Sequence, residues 1–134
     1  MIALRAEALG AMQALLTYTA QYTHTRKQFG IPIAWFQVVA HRLADMKIAL
    51  TKARSSLLYT TALVESGQHS PTDLSILKAQ VGKLGRAIGE AAVQSHGGIG
   101  MTDELPIGHY LKRLLTIGAL FGSSDYHFRM IGRY

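Results

Sequence analysis

The sequence predicts an all-α fold, an up-down four-helix bundle, and three observations carry that expectation. Apolar residues recur at spacings of three and four along four long stretches. No stretch alternates apolar and polar residues as a half-buried strand does, so no strand of any length is expected. The breaks between the stretches are short and marked by Gly and Pro, which suits helices that fold back on their neighbours. The chain of 134 residues is long enough for one domain with its own core, and residues 1–134 are read as one.

Residues 2–25 read as the first helix, with Ile2, Leu9, Met12 and Leu16 on one face and Leu15, Tyr18 and Tyr22 beside them. Gly10 weakens it unless another helix packs close there. The chain opens inside this pattern with no N-cap ahead of it, so Met1 reads as a cut point rather than a domain start. Residues 26–34 form a break marked by Gly30 and Pro32. Residues 35–66 carry the clearest signal. Phe36, Val39, Leu43, Met46, Leu50, Ala53, Leu57, Thr60 and Val64 step by three and four, the seam of a helix packed at a shallow angle on another. A helix of about 32 residues would be about 48 Å long, a length suited to a bundle. Gly67 reads as its C-cap. Ser70, Pro71 and Asp73 read as the next start: cap, first helical residue and capping-box acid.

Residues 71–95 continue with Leu74, Leu77, Val81, Leu84, Ile88 and Ala91. Gly82, Gly85 and Gly89 share a flank, which points to close approach by a helix or a ligand. The joint Gln94-Ser95-His96-Gly97-Gly98-Ile99-Gly100 follows. Its glycines admit positive φ and leave backbone N–H groups uncovered, so two readings stay open. One is a helix C-cap with a tight turn; the other is a cradle for a phosphate or a flat ligand. Thr102-Asp103-Glu104 signals a fourth helix over residues 104–120, striped by Ile107, Tyr110, Leu111, Leu114 and Ile117. Residues 123–134 read as a short tail of a helical turn or two.

Net charge is +6, from 14 Lys and Arg against 8 Asp and Glu, which favours anionic partners. The basic residues are scattered and form no nucleic-acid-binding arm. A hydrophobic share of 49% with 16% charged residues points to apolar surface covered by another chain or domain. There is no cysteine, so disulfides and thiolate metal sites are out. The compartment stays open, and a cytoplasmic setting is the working expectation. No apolar run is long enough for a membrane span, and no signal peptide is evident. The six histidines form no metal-ligand spacing, so no metal is expected. No strained nucleophile turn is present, and Ser123-Ser124-Asp125 near His127 reads first as a helix cap.

The basic and aromatic candidates are sharper. Arg26 precedes the break, where a guanidinium can bond a phosphate bidentately. Phe29-Gly30 sets a ring beside bare backbone, and Trp35-Phe36-Gln37 opens the next helix with two rings and an amide. With Gln94 and the glycines after it, these suit a dinucleotide, although each also has a packing or capping role.

The ordered series Arg26-x-x-Phe29-Gly30, Phe36-Gln37, Ala44-Asp45-Met46, Ala53-Arg54, Lys78-Ala79, Gln94-x-x-Gly97-Gly98-x-Gly100 and Glu104-x-Pro106 closely resembles the C-terminal helical domain of the acyl-CoA dehydrogenases. The resemblance runs over nearly the whole chain. It implies a subunit whose N-terminal helical and middle β-domains lie outside this sequence. It implies FAD as cofactor, an acyl-CoA substrate in the full assembly, and homo- or hetero-oligomers formed through this bundle with another acyl-CoA dehydrogenase subunit. It places Arg26 and Gln28 at the FAD pyrophosphate from a neighbouring subunit. Phe36, Gln37, Gln94, Gly97 and Gly98 fall along the adenosine, and Ser123 and Asp125 also fall against FAD. The family's usual catalytic base is a glutamate directly before the residue matching Gly122, where this chain has Phe121, and a phenyl ring cannot accept a proton. Some members of the family place the glutamate on the first helix of this domain instead, a position at or just before Met1 and outside this sequence. Phe121 and the run His109-Tyr110-Leu111-Lys112-Arg113 make the chain look similar to the base-less subunit of a heteromeric enzyme. Lys112-Arg113 replaces the family's Arg-Asp, which puts one local ion pair in doubt. The rival reading is a helical assembly module that oligomerises without binding flavin.

Overall fold

The computed structural model describes residues 1–97 and 106–132. Four long helices form: α1 Ile2–Thr25, α2 Gln37–Glu65, α3 Pro71–His96 and α4 Ile107–Ala119. A fifth, α5 Ser124–Ile131, occupies the expected tail. The all-α expectation holds, with one correction. The break after α1 is a small antiparallel hairpin, β1 Lys27–Gln28 and β2 Ile31–Pro32, where no strand was expected. A 3-10 turn, Ile33–Trp35, then leads to α2, so Trp35 and Phe36 precede the helix and Gln37 opens it. The fourth-helix start signal Thr102-Asp103-Glu104 lies outside the described residues.

Local chemistry accounts for the helix ends between α2 and α3. Gly67 has φ +72°, and its N–H and that of Gln68 donate to the carbonyls of Val64 and Leu63, a Schellman cap. Ser70 and Asp73 then cap α3 reciprocally: the Asp73 N–H donates to Ser70 Oγ at 3.3 Å and the Ser70 N–H to Asp73 Oδ2 at 2.8 Å. This short connection makes α2 and α3 antiparallel neighbours.

α3 lies at the centre and packs against α1, α2, α4 and α5. Met46, Leu50, Ala53 and Leu57 of the α2 seam meet Met12 and Leu15, Leu77, Val81 and Ile88, and Ile107, Leu114 and Ile117 in one core. The α3 glycines serve helix approach. A Cβ at Gly85 would meet Met12 and Leu114, one at Gly89 would meet Leu111, and one at Gly82 would meet Ser124. Gly10, in contrast, faces open space.

The buried face of α1 differs from the expected stripe. It runs through Arg5, Ala8, Met12, Leu15, Thr19 and Thr23, while Leu9 and Leu16 are half-buried and Tyr18 is exposed. Thr23 lies on this face because its hydroxyl donates to the Thr19 carbonyl at 2.8 Å. Arg113 of α4 reaches Glu7 of α1 through two hydrogen bonds, so an ion pair forms with Lys112-Arg113 in place.

Candidate functional site

The expected site residues fall into two groups at different places on the bundle. The first is built on the hairpin. Arg26 ends α1 in extended conformation, and its backbone is tied on both sides: its N–H donates to the Tyr22 carbonyl and its carbonyl accepts from Ile33, both at 2.8 Å. Gln28 pairs with Ile31 across the two strands. The turn between them, Phe29-Gly30, has φ +55° and +79°. Positive φ at both central residues suits the twist of a two-residue hairpin, yet it is uncommon for a phenylalanine. Its ring is 86% exposed and meets Phe36 edge-on at 6.4 Å between centroids. Phe36 is half-buried, and Gln37 and Trp35 are exposed beside it.

The C-terminus of α3 carries Gln94, which is exposed, and Gly97, whose φ of +63° accounts for a glycine at that joint. Gly98, Ile99 and Gly100 lie outside the described residues. A cleft of about 220 Å³ between the ends of α1 and α3 is lined by Tyr22, Thr25 and His96 among others. Thr25 directly precedes Arg26 and His96 directly precedes Gly97, so the cleft brings the two stretches to one end of the bundle. His96 is buried, stacks on Tyr22 at 4.4 Å, and shares a 3.3 Å hydrogen bond with the Thr19 hydroxyl. Burial holds its pKa below the usual histidine value.

The second group is Ser123 and Asp125. Ser123 caps α5, accepting from the Tyr126 N–H at 3.2 Å, as read from sequence. Both residues line a separate cleft of about 510 Å³ between α3, α4 and α5, with Lys83 and Arg86 at its edge. None of the hairpin residues lines it. One copy of the chain therefore does not gather all the expected contacts in one cavity. Among the described residues no metal-ligating cluster forms.

Sequence reasoning missed the buried cations at the C-terminal end of α4. Arg5 and Lys78 are fully buried. Arg5 donates from Nη2 to the Ile117 carbonyl at 2.9 Å, while its Nε and Nη1 are buried without a hydrogen-bond partner among the described residues. Lys78 donates to the same carbonyl at 3.3 Å and to that of Gly118. Burial, and secondarily the charge of Arg5, lower Lys78 from 10.5 to about 8. The available signal was a cation on an apolar stripe: Arg5 steps by three and four to Ala8, Met12 and Leu15.

A profile of the acyl-CoA dehydrogenase C-terminal domain matches residues 2–134. The chain belongs to the acyl-CoA dehydrogenase family. The acyl-CoA dehydrogenase IpdE2 of Mycobacterium tuberculosis is 36% identical over 84% of this chain and 34% of its own length. Butyryl-CoA dehydrogenase from Megasphaera elsdenii superposes with a TM-score of 0.92 at 27% identity, covering 98% of this chain and 34% of that one. A structure described as the FAD complex of PigA has a TM-score of 0.90 at 29% identity over 96% of this chain and 34% of its own. The acyl-CoA dehydrogenase domain thus spans about a third of the length of the relatives it matches.

Proposed function

We propose that this chain is the helical C-terminal part of an FAD-dependent dehydrogenase acting on acyl-CoA thioesters, that it supplies the adenosine and pyrophosphate contacts and the oligomer interface, and that it lacks the catalytic base. The observation that carries the reading is the hairpin edge. Arg26 stands there on a doubly tied backbone, with no side-chain hydrogen bond or ion pair among the described residues. A guanidinium so placed is open to a pyrophosphate in bidentate fashion. The exposed Phe29 ring offers a flat apolar face, and the exposed amides of Gln28, Gln37 and Gln94 make no side-chain hydrogen bonds among the described residues. This donor set fits the adenosine diphosphate half of FAD. Gly97, where a Cβ would meet nothing within 4 Å, leaves backbone open to a ligand, and Gly98 continues that stretch. Ser123 and Asp125, in the other cleft, would meet a different part of the cofactor or a cofactor held by another subunit.

When bound, FAD supplies the hydride acceptor for α,β-dehydrogenation. This chain's residues bind and orient it. Phe121 cannot take the α-proton, so the base comes from elsewhere in the assembly, which makes a partner acyl-CoA dehydrogenase subunit part of the reading. The second reading, an assembly module without flavin, is favoured by one observation: the exposed apolar side chains Trp35, Val38, Ile48, Leu58 and Tyr59 along the 3-10 turn and α2.

The deciding experiment measures the oligomeric mass of the purified chain with and without FAD, together with flavin absorbance. An oligomer that retains FAD, and loses affinity about tenfold to a hundredfold on Arg26→Ala, supports the first reading. An oligomer that takes up no flavin supports the second.

A further inference from the structure

The turn between α4 and α5 is held in an unusual way. A helix leaves its last carbonyls without intrahelical partners, and the common remedy is a glycine cap just beyond the end. α4 uses distant cations instead. The Thr116 carbonyl accepts from the Leu120 N–H at 3.2 Å. The Ile117 carbonyl accepts from Arg5 of α1 and Lys78 of α3, and the Gly118 carbonyl accepts from Lys78. Both cations also complement the negative end of the α4 dipole. Beyond the helix, Phe121 has φ +61° and Gly122 φ +94°. The Phe121 carbonyl is held as well: His127 of α5 donates to it from Nε2 at 2.7 Å. A carbonyl cannot donate, so this tautomer leaves Nδ1 to accept from the Ser75 hydroxyl at 3.1 Å. A phenylalanine in left-handed backbone is strained and persists only where its surroundings over-determine it. Its ring, 62% exposed, makes little of that enclosure itself.

We infer that Arg5, Lys78 and His127 form a clamp that fixes the backbone of residue 121 and turns its side chain out of the bundle, which makes them positioning residues for whatever that side chain meets. The clamp draws on α1, α3 and α5, so residue 121 is located by the whole bundle rather than by its own loop. The proposed function bears only on what residue 121 meets.

The charged group acting on Lys78 is Arg5 from α1. α4 presents carbonyls to it, and α5 presents His127, bound to Ser75 one turn before Lys78. The test follows backbone amide resonances of Gly118, Leu120, Phe121 and Gly122 in the 15N-labelled chain from about pH 6 to about pH 10, with no flavin or thioester present. In the wild type these resonances should titrate with a midpoint near the Lys78 value of about 8. In Lys78→Arg, which stays charged, they should keep their low-pH positions and stop titrating. In Lys78→Met they should be displaced at every pH while α2 resonances coincide with the wild type. A titration that persists in Lys78→Arg, a wild type without one, or wild-type positions kept in Lys78→Met would each overturn the clamp. If Lys78→Met does not fold, the wild type and Lys78→Arg still decide. Failure of the flavin reading leaves all of these outcomes unchanged.

Discussion

Gly10 and Gly89 each interrupt a helix, and the same substitution should act on them with opposite sign. Gly10 is exposed on α1 in helical backbone, and an added Cβ meets no atom within 4 Å. Gly10→Ala therefore gains helix propensity alone, about 1 kcal/mol. Gly89 is buried on α3 beneath α4, where a Cβ would lie 2.5 Å from Leu111 Cδ1, 3.5 Å from its Cγ and 3.6 Å from its Cβ. Relief requires the leucine to leave its rotamer or α4 to back away. Overpacking of that kind costs about 1–3 kcal/mol, against the same propensity gain of about 1 kcal/mol. The net loss is about 1 kcal/mol, which separates the two variants by about 2 kcal/mol. Urea unfolding of both, with slopes compared, measures this directly, and the melting temperatures should differ by about 8 °C. If Gly89→Ala is as stable as Gly10→Ala at equal slopes, the α3–α4 spacing is not set at Gly89 and the packing argument fails. A changed slope would move the effect to the unfolded chain.

Lys78 gives a pH dependence. Its folded value of about 8 lies below the unfolded value of 10.5, so between them the unfolded chain holds a proton that the folded chain lacks, and stability rises with pH across that window. The upper bound is about 3 kcal/mol, and solvent screening brings it to about 1–2 kcal/mol; denaturant midpoints of wild type minus Lys78→Met should show the rise, and a flat difference contradicts it. Leu50→Ala removes a side chain only 1% exposed in the α2 seam and should cost about 2–5 kcal/mol by the same unfolding assay. Ser70→Ala breaks the α3 capping box and should cost about 1 kcal/mol, with amide exchange rising first at residues 71–74.

Some parts of the fold were legible because their causes are local. The α2 seam shows its period within one helix, and Ser70, Pro71 and Asp73 cap α3 with neighbours alone. The hairpin was hidden because each strand has two residues and its turn uses Phe29 where Asn or Gly is usual. The place of Arg5 on the α1 stripe was readable, but its partner was not, because the carbonyl that holds it is 112 positions away, and Lys78 is 39 positions from the same one. Arg26, Phe29 and Gly97 stood out because breaks and glycines mark exposed backbone. Their separation from Ser123 and Asp125 depends on how α3, α4 and α5 pack, which no local pattern records.

Trp35 is the chain's only tryptophan, and it sits 69% exposed where the hairpin meets α2. The protein therefore carries its own fluorophore at the border between the Arg26 edge and the exposed apolar side chains of α2. In the free chain its emission should be red-shifted and open to iodide. Covering the apolar face would shift it to the blue and shield it, while a flavin at the Arg26 edge would quench it by energy transfer. Two spectroscopic signatures from one indole thus distinguish assembly from cofactor capture without a label.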